Sequence, residues 1–302
     1  MSDEPVGFIG LGNMGGRIAD CITRGGRAVV GFDVREENTR RPGMTAAATV
    51  GEVVGAADVV LLSLPDSRVV ESVMEGDSGV LAHLRPGQLV VDLSTAAPDS
   101  TRRLCEAVRE RGGDFLDAGI SGGAAAAERG ALTLMVGGAA ESLDRVRPLL
   151  DLFSASVFHC GDPGAGHIAK LLNNFLNAVT LAATAEVMVA GKKAGLDLQV
   201  LLDVINASSG VSFASTNRFP KIIHGDYLEG GLTNTLMLKD VTLYVELVSA
   251  LGVSSLNSAG PIASFGLARA LGYADQISNR VVDAIGDISG GVRLHDVEGA
   301  HS

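Results

Sequence analysis

Along residues 5–162, short apolar runs alternate with stretches of helical spacing. Residues 6–9, 28–33, 58–64, 88–93 and 115–117 are runs of the kind that becomes a strand buried on both faces. Between them, 16–24, 50–56, 67–74 and 99–111 carry helical spacing and charged faces, which predicts helices. Residues 132–136 and 157–160 predict two more strands around a helix over 139–151. Such alternation implies βαβ units, a parallel sheet and right-handed crossovers. Beyond Gly164 the strands cease. Helices are predicted over 165–194, 197–207, 235–250, 259–272 and 279–286, the first of them about 45 Å long at 1.5 Å per residue. One core cannot cover such a helix, so it is expected to run between domains or subunits. Gly161-Asp162-Pro163-Gly164 is the clear turn cluster where the pattern changes. The expected architecture is an α/β domain over 1–163 and an all-α domain over 164–302, joined by the long helix.

Composition narrows the partners. The 302 residues carry 24 basic and 35 acidic side chains, a formal net charge of −11, so a nucleic-acid backbone is a poor ligand. With 46% apolar and 20% charged residues the chain can build a sizeable core, which excludes global disorder. Aromatics are only 4%, with no Trp, against a β-sandwich or a base-stacking surface. Gly, at 39 residues, is about twice its usual share and suits the tight turns of an α/β sheet. Cys21, Cys105 and Cys160 form no CxxC pair and read as thiols of a reduced, cytoplasmic protein. The six histidines show no HxxxH or HxH spacing, and no metal site is expected. The acidic N-terminus lacks a secretion-signal pattern. The longest apolar stretch, 175–190, is broken by Asn177, Thr180, Thr184 and Glu186, and reads as too short and too polar to span a membrane.

The excess glycine has a clear address. Gly10-Leu11-Gly12-Asn13-Met14-Gly15 follows the first strand and opens a helix, the context in which G-x-G-x-x-G binds a dinucleotide. Gly10 permits the tight turn, Gly12 lets backbone approach a pyrophosphate, and Gly15 lets helix and strand pack closely. The helix N-terminus offers unpaired N–H groups to the phosphates. Asp33 ends the next strand, where a carboxylate binds the adenosine-ribose hydroxyls and its charge opposes a 2′-phosphate. NAD is therefore expected over NADP, although Arg35, Arg40 and Arg41 follow closely and are candidates for a phosphate. Leu64-Pro65-Asp66 and Leu93-Ser94-Thr95 fall at further strand ends. Pro65 is a candidate for the adenine or ribose side, and Ser94 and Thr95 for the nicotinamide ribose or the substrate. Capping a helix explains the two hydroxyls equally well.

Two later segments suggest a substrate site. Ser121-Gly122-Gly123 places open backbone beside a hydroxyl, as a carboxylate nest requires, or forms a flexible loop before the alanine run. Gly164 and Gly166 open the long helix, where Lys170 and Asn174 are four apart and share a face. Spacing alone favours a lysine that snorkels to solvent.

Together, Phe8-Ile9-Gly10-Leu11-Gly12-Asn13-Met14-Gly15, Ser121-Gly122-Gly123 and G-x-G-x-x-x-K-x-x-N-N from Gly164 to Asn174 resemble the β-hydroxyacid dehydrogenases. That family includes 3-hydroxyisobutyrate dehydrogenase and tartronate semialdehyde reductase and is similar to 6-phosphogluconate dehydrogenase. The resemblance covers about residues 6–290. It implies a Rossmann domain, a helical domain, and a homodimer or homotetramer built on the helical part. By resemblance, Lys170 is the general acid/base, Asn174 positions the substrate, and Ser121, Gly122 and Gly123 hold its carboxylate. Lys239, in Leu238-Lys239-Asp240, matches a lysine lining the cofactor and substrate pocket. The family's usual Pro-Val before Ser-Gly-Gly is Gly119-Ile120 here, which predicts a less rigid loop and an altered substrate preference.

The expected reaction moves hydride between NAD(H) and a small 3-hydroxy acid or its semialdehyde, with no metal. Lysine suits the base because burial and a cationic nicotinamide both favour its neutral form. The alternatives are an imine-reductase-like enzyme and a non-catalytic dinucleotide-binding scaffold. Each is expected to lack the lysine that stands at 170. The segment 208–221 is polar and expected between helices, where it is a candidate cover for the site. Arg218 within it is a candidate for a second anionic group, with a surface arginine the commoner case.

Overall fold

Phe8 and Ile9 point to opposite faces of the first strand, β1 (Val6–Ile9), and each is fully buried in a separate apolar cluster. This is the mark of a strand covered by helices on both sides. The computed structural model describes residues 4–295. They form two units, the first ending at Lys170 and the second beginning at Leu171.

In the first unit, β1 is joined by β2 (Val29–Phe32), β3 (Met44–Ala46), β4 (Val59–Leu62), β5 (Leu89–Asp92), β6 (Asp114–Ser121), β7 (Leu132–Gly137) and β8 (Ser154–Gly161). The sheet order is β3-β2-β1-β4-β5-β6-β7-β8. The helices between them are α1 (Asn13–Arg24), α2 (Val50–Ala56), α3 (Ser67–Glu75), α4 (Val80–His83), α5 (Pro98–Arg109), α6 (Gly123–Glu128) and α7 (Ala140–Leu150). Phe8 belongs to the same cluster as Ile18 and Ile22 of α1 and Leu149 of α7. Ile9 belongs to a cluster with Val53 of α2, Met74 of α3 and Val108 of α5. Each such side chain contributes about 1.5–3 kcal/mol when fully buried.

The sheet departs from the expected all-parallel arrangement once, because β6 and β7 run antiparallel. Their connection holds only the short α6 and a turn, and a parallel crossover needs about a dozen residues or more. The chain doubles back instead. β3 and α4 were not expected. β3 is a three-residue edge strand with a half-buried methionine and two exposed residues, so it carries no apolar run.

A second core builds the other unit. α8 (Ala165–Lys193) begins in the first unit and continues into the second. It is followed by α9 (Leu198–Asn206), α10 (Phe219–Ile222), α11 (Asn234–Ala250), α12 (Ala259–Ala268) and α13 (Val281–Ile288). Leu181, Ala185 and Met188 of α8 are fully buried with Leu202, Phe219, Met237, Phe265 and Val281. By length and composition α8 is apolar enough to cross a membrane, a correction to the reading from 175–190 alone. Half of its most apolar stretch is buried inside the protein, as in the core helix of a globular unit. The helix expected over 259–272 ends early, in a π-turn at Arg269–Tyr273, because Gly272 adopts φ +91°. The segment 208–221 lies between α9 and α11, as expected, and is itself structured. It contains a π-turn at Ala214–Arg218 and the start of α10, and Ala214, Phe219 and Ile222 are fully buried.

Candidate active site

Because β1, β2, β4, β5 and β6 are mutually parallel, the residues that follow them lie along one edge of the sheet. Gly10, Asp33, Leu64, Pro65, Ser94 and Thr95 all emerge there, as does Ser121 at the end of β6. This is where open α/β sheets bind ligands, with the switch point between β1 and β4.

The three glycines of the first turn serve three purposes. Gly10 has φ +89°, and a Cβ on it would strike the Ser63 carbonyl, so the turn admits only glycine. A Cβ on Gly15 would strike the Gly10 carbonyl and the Phe8 ring. Gly12 is different, since nothing lies within 4 Å of the position its Cβ would take. It caps α1 without a side-chain hydrogen bond, at the helix end whose dipole favours an anion. Asn13 is exposed and Met14 packs against the core beside Leu11, which is fully buried. Asp33 reaches back across this turn. Its Oδ2 accepts from the Leu11 backbone N–H (2.7 Å) and its Oδ1 from the Arg35 N–H (2.8 Å). The carboxylate is thereby fixed beside the glycine turn, as ribose recognition requires. These residues fit an NAD, which supplies a hydride acceptor when bound.

The neighbouring arginines are largely committed elsewhere. Arg40 pairs with Glu36 (2.8 Å), and Arg41 pairs with Asp20 (2.7 Å) while lying over Gly16. Arg35 is exposed.

Ser94 proves to be a positioning residue. It is buried, its Oγ accepts from the Leu64 N–H (2.9 Å), and its own N–H donates to Asp92 (3.0 Å). The loops after β4 and β5 are thus tied together, which holds half-buried Leu64 and exposed Pro65 in place. Thr95 is half-buried beside them.

At β6, Gly119 and Ile120 are strand residues paired with Met135 and Leu134, so the expected loosening at Gly119-Ile120 does not occur. A Cβ on Gly119 would stand 2.5 Å from the Lys170 Cβ, and glycine here lets the lysine's helix approach the strand. Two residues on come Ser121, half-buried, then Gly122 (φ +124°) and Gly123 (φ +68°), both exposed. Lys170 itself is 8% exposed, which corrects the snorkelling expectation.

What seats Lys170 was not visible in the sequence. Asp117, fully buried in β6, accepts from the backbone N–H of Gly164 (2.7 Å) and of His167 (2.8 Å), capping α8 from another element. A Cβ on Gly166 would strike the Met135 carbonyl, so that glycine lets the first turn of α8 press on the sheet. His167, also fully buried, shares a hydrogen bond with Thr101 (2.8 Å), and its Nε2 lies 4.0 Å from Asp92.

In the second unit, Asp240 gathers two further candidates. Its Oδ2 accepts from Asn174 (2.5 Å), and Lys239 Nζ stands 3.2 Å from its Oδ1. Asp240 is 1% exposed, and its place next to Lys239 in Leu238-Lys239-Asp240 is the sequence signal that points to it. Arg218 is half-buried, not at the surface.

Residues 5–161 match the family model described as the NAD binding domain of 6-phosphogluconate dehydrogenase. Residues 164–284 match the one described as NAD-binding of NADP-dependent 3-hydroxyisobutyrate dehydrogenase. The chain is similar to the NAD-dependent L-serine dehydrogenase of Pseudomonas aeruginosa, 39% identical over 90% of this chain and 95% of that one. It is similar to the 2-(hydroxymethyl)glutarate dehydrogenase of Eubacterium barkeri, 36% identical over 80% and 81%. Among solved structures, Mycobacterium tuberculosis 3-hydroxyisobutyrate dehydrogenase with L-serine matches at a TM-score of 0.84 and 32% identity, covering 92% of this chain and 98% of that one. A Streptomyces aurantiacus imine reductase matches at 0.62 and 19% identity, a likeness of fold alone.

Proposed function

The chain belongs to the β-hydroxyacid dehydrogenase family, and from that premise we propose that Lys170 is the general acid/base of an NAD-dependent 3-hydroxyacid dehydrogenase. The observation that carries this reading is the buried Lys170, held against Gly119 by a helix that Asp117 caps, two strand positions before Ser121. L-Serine, 2-(hydroxymethyl)glutarate and 3-hydroxyisobutyrate, the substances in the relatives' names, share a primary alcohol one carbon from the carbon that bears the carboxylate. The substrate class proposed is therefore HO–CH2–CH(X)–COO⁻.

Ser121, Gly122 and Gly123 hold the carboxylate through the serine hydroxyl and open backbone. Lys170, neutral, takes the hydroxyl proton as hydride leaves the same carbon; in reverse, its ammonium returns a proton to the forming alkoxide. NAD, when bound, supplies the hydride acceptor. Asn174, one turn along the same helix face, orients the substrate, and Asp240 fixes its amide. Residues 10–15, Asp33, Leu64, Pro65 and Thr95 hold the cofactor, with Lys239 near it. Asp33 supports NAD over NADP through charge.

A cytoplasmic homodimer or homotetramer completes the reading. Leu172, Leu176 and Val187 of α8 are large, exposed and spaced along one side of the helix, which supports a second copy packing there. The test is absorbance at the NADH band with serine, 3-hydroxyisobutyrate, 3-hydroxypropionate and their semialdehydes, in both directions with NAD and NADP. Turnover confined to this class supports the reading. NADH binding with no turnover across the panel identifies a scaffold and overturns it.

A further inference from the structure

Arg280 and Arg293, two half-buried arginines of the second unit, both rest on carboxylates, those of Asp283, Glu229 and Asp287. Arg218 rests on none among the described residues. Its Nη1 donates to the Asn279 side-chain oxygen (2.8 Å) and its Nη2 to that of Asn177 (3.0 Å), and its guanidinium carbon lies 5.8 Å from the centre of the Phe213 ring. Both acceptors are neutral amides. Burial alone pulls the guanidinium down to about 10, with no opposing charge to restore it. A cation partly removed from water without a counter-ion is costly to keep. The fork has five N–H groups, and the two asparagines occupy only part of it while fixing its plane.

The placement is equally specific. A π-turn, Ala214–Arg218, presents the side chain, and fully buried Ala214 and Phe219 anchor that turn. Such turns are frequent at functional sites. Asn177, which Arg218 grips, follows Lys170 by seven residues and Asn174 by three. Positions i, i+4 and i+7 lie on one helix face, so all three belong to a polar track about 10 Å long on α8.

We propose that Arg218 binds a second anion of the substrate, so that the preferred 3-hydroxy acid carries a further carboxylate on its C2 substituent. The proposal rests on Lys170 marking where the alcohol reacts. Arg218 is then a specificity residue: Asn177 and Asn279 aim its remaining donors, and the far carboxylate supplies the missing counter-ion. A neutral X group leaves that cation unpaired, which costs binding in both ground and transition states.

The test compares 2-(hydroxymethyl)glutarate with its 5-methyl ester, which has nearly the same shape and one charge less, on the full-length wild-type protein. The expected result is a kcat/KM at least about thirtyfold higher for the diacid, a ratio that collapses toward one in Arg218→Gln and is largely kept in Arg218→Lys. The wild-type comparison needs no mutant to fold. A wild-type ratio within about threefold of one, with both compounds oxidised, overturns the inference and leaves the dehydrogenase reading standing. An equal preference in wild type and Arg218→Gln assigns the diacid selectivity elsewhere and overturns it too. Failure of both compounds and of 3-hydroxyisobutyrate contradicts the underlying reading instead.

Discussion

The Cβ of Lys170 lies where a side chain on Gly119 would need to be, at 2.5 Å from the position of the absent Cβ. The strand and the helix can be this close only because residue 119 is glycine. Gly119→Ala is expected to push the first turn of α8 off β6 and displace Lys170. Displacements on the ångström scale cost about a hundredfold in rate. The predicted outcome is a fall in kcat of that order with little change in the NADH dissociation constant measured by fluorescence. A variant with wild-type kcat would show that the lysine tolerates the shift.

Asp117 provides the other half of that placement. Its carboxylate accepts two backbone N–H groups at the start of α8 while fully buried. Asn at this position can offer one oxygen only. Asp117→Asn is predicted to lose about 1–3 kcal/mol of stability in denaturant titration and to lower kcat as well. Loss of stability with kcat intact would separate the cap from the chemistry.

Asp33 does two jobs, holding the Leu11 N–H and presenting negative charge to the ribose. Asp33→Ser is expected to raise the KM for NAD by about tenfold or more and to shift the NADP/NAD preference toward NADP. Steady-state kinetics with both cofactors read this directly, and an unchanged ratio counts against the assignment.

The cluster at the end of α13 gives a pH dependence. Burial works against the charge on Asp287, but hydrogen bonds from Arg293 and Tyr273 outweigh it and hold the carboxyl below its usual range. A folded-state pKa lowered in this way contributes stability above the unfolded value of about 3.9, and the contribution is lost as pH falls through the folded value. Asp287→Asn should cost about 1 kcal/mol at neutral pH, and the difference should vanish once the wild-type carboxyl is protonated. Urea melts at pH 7 and near pH 2 test this; a penalty independent of pH points to packing instead.

Much of this was legible in the sequence, for identifiable reasons. Val6–Ile9 and Val50–Ala56 were read with their observed bounds because an apolar run and a helical period are local signals. Residues 10–15 and Asp33 were legible because their chemistry is tied to fixed spacing. The missed features are long-range. Asp117 caps a helix 47 residues away, and Asp240 orients an asparagine 66 residues away. No periodicity records either contact. The reversal at β7 was hidden because period tells a strand from a helix but not its direction. Arg218 looked like a surface residue because its burial depends on Asn177 and Asn279, far along the chain.

The central claim is that Lys170 moves the proton, and Lys170→Ala tests it most directly. The account predicts that this variant binds NADH with a dissociation constant close to that of the wild type. Oxidation of 3-hydroxyisobutyrate should fall by about a thousandfold, with partial rescue by added methylamine. Turnover within tenfold of the wild type would contradict it.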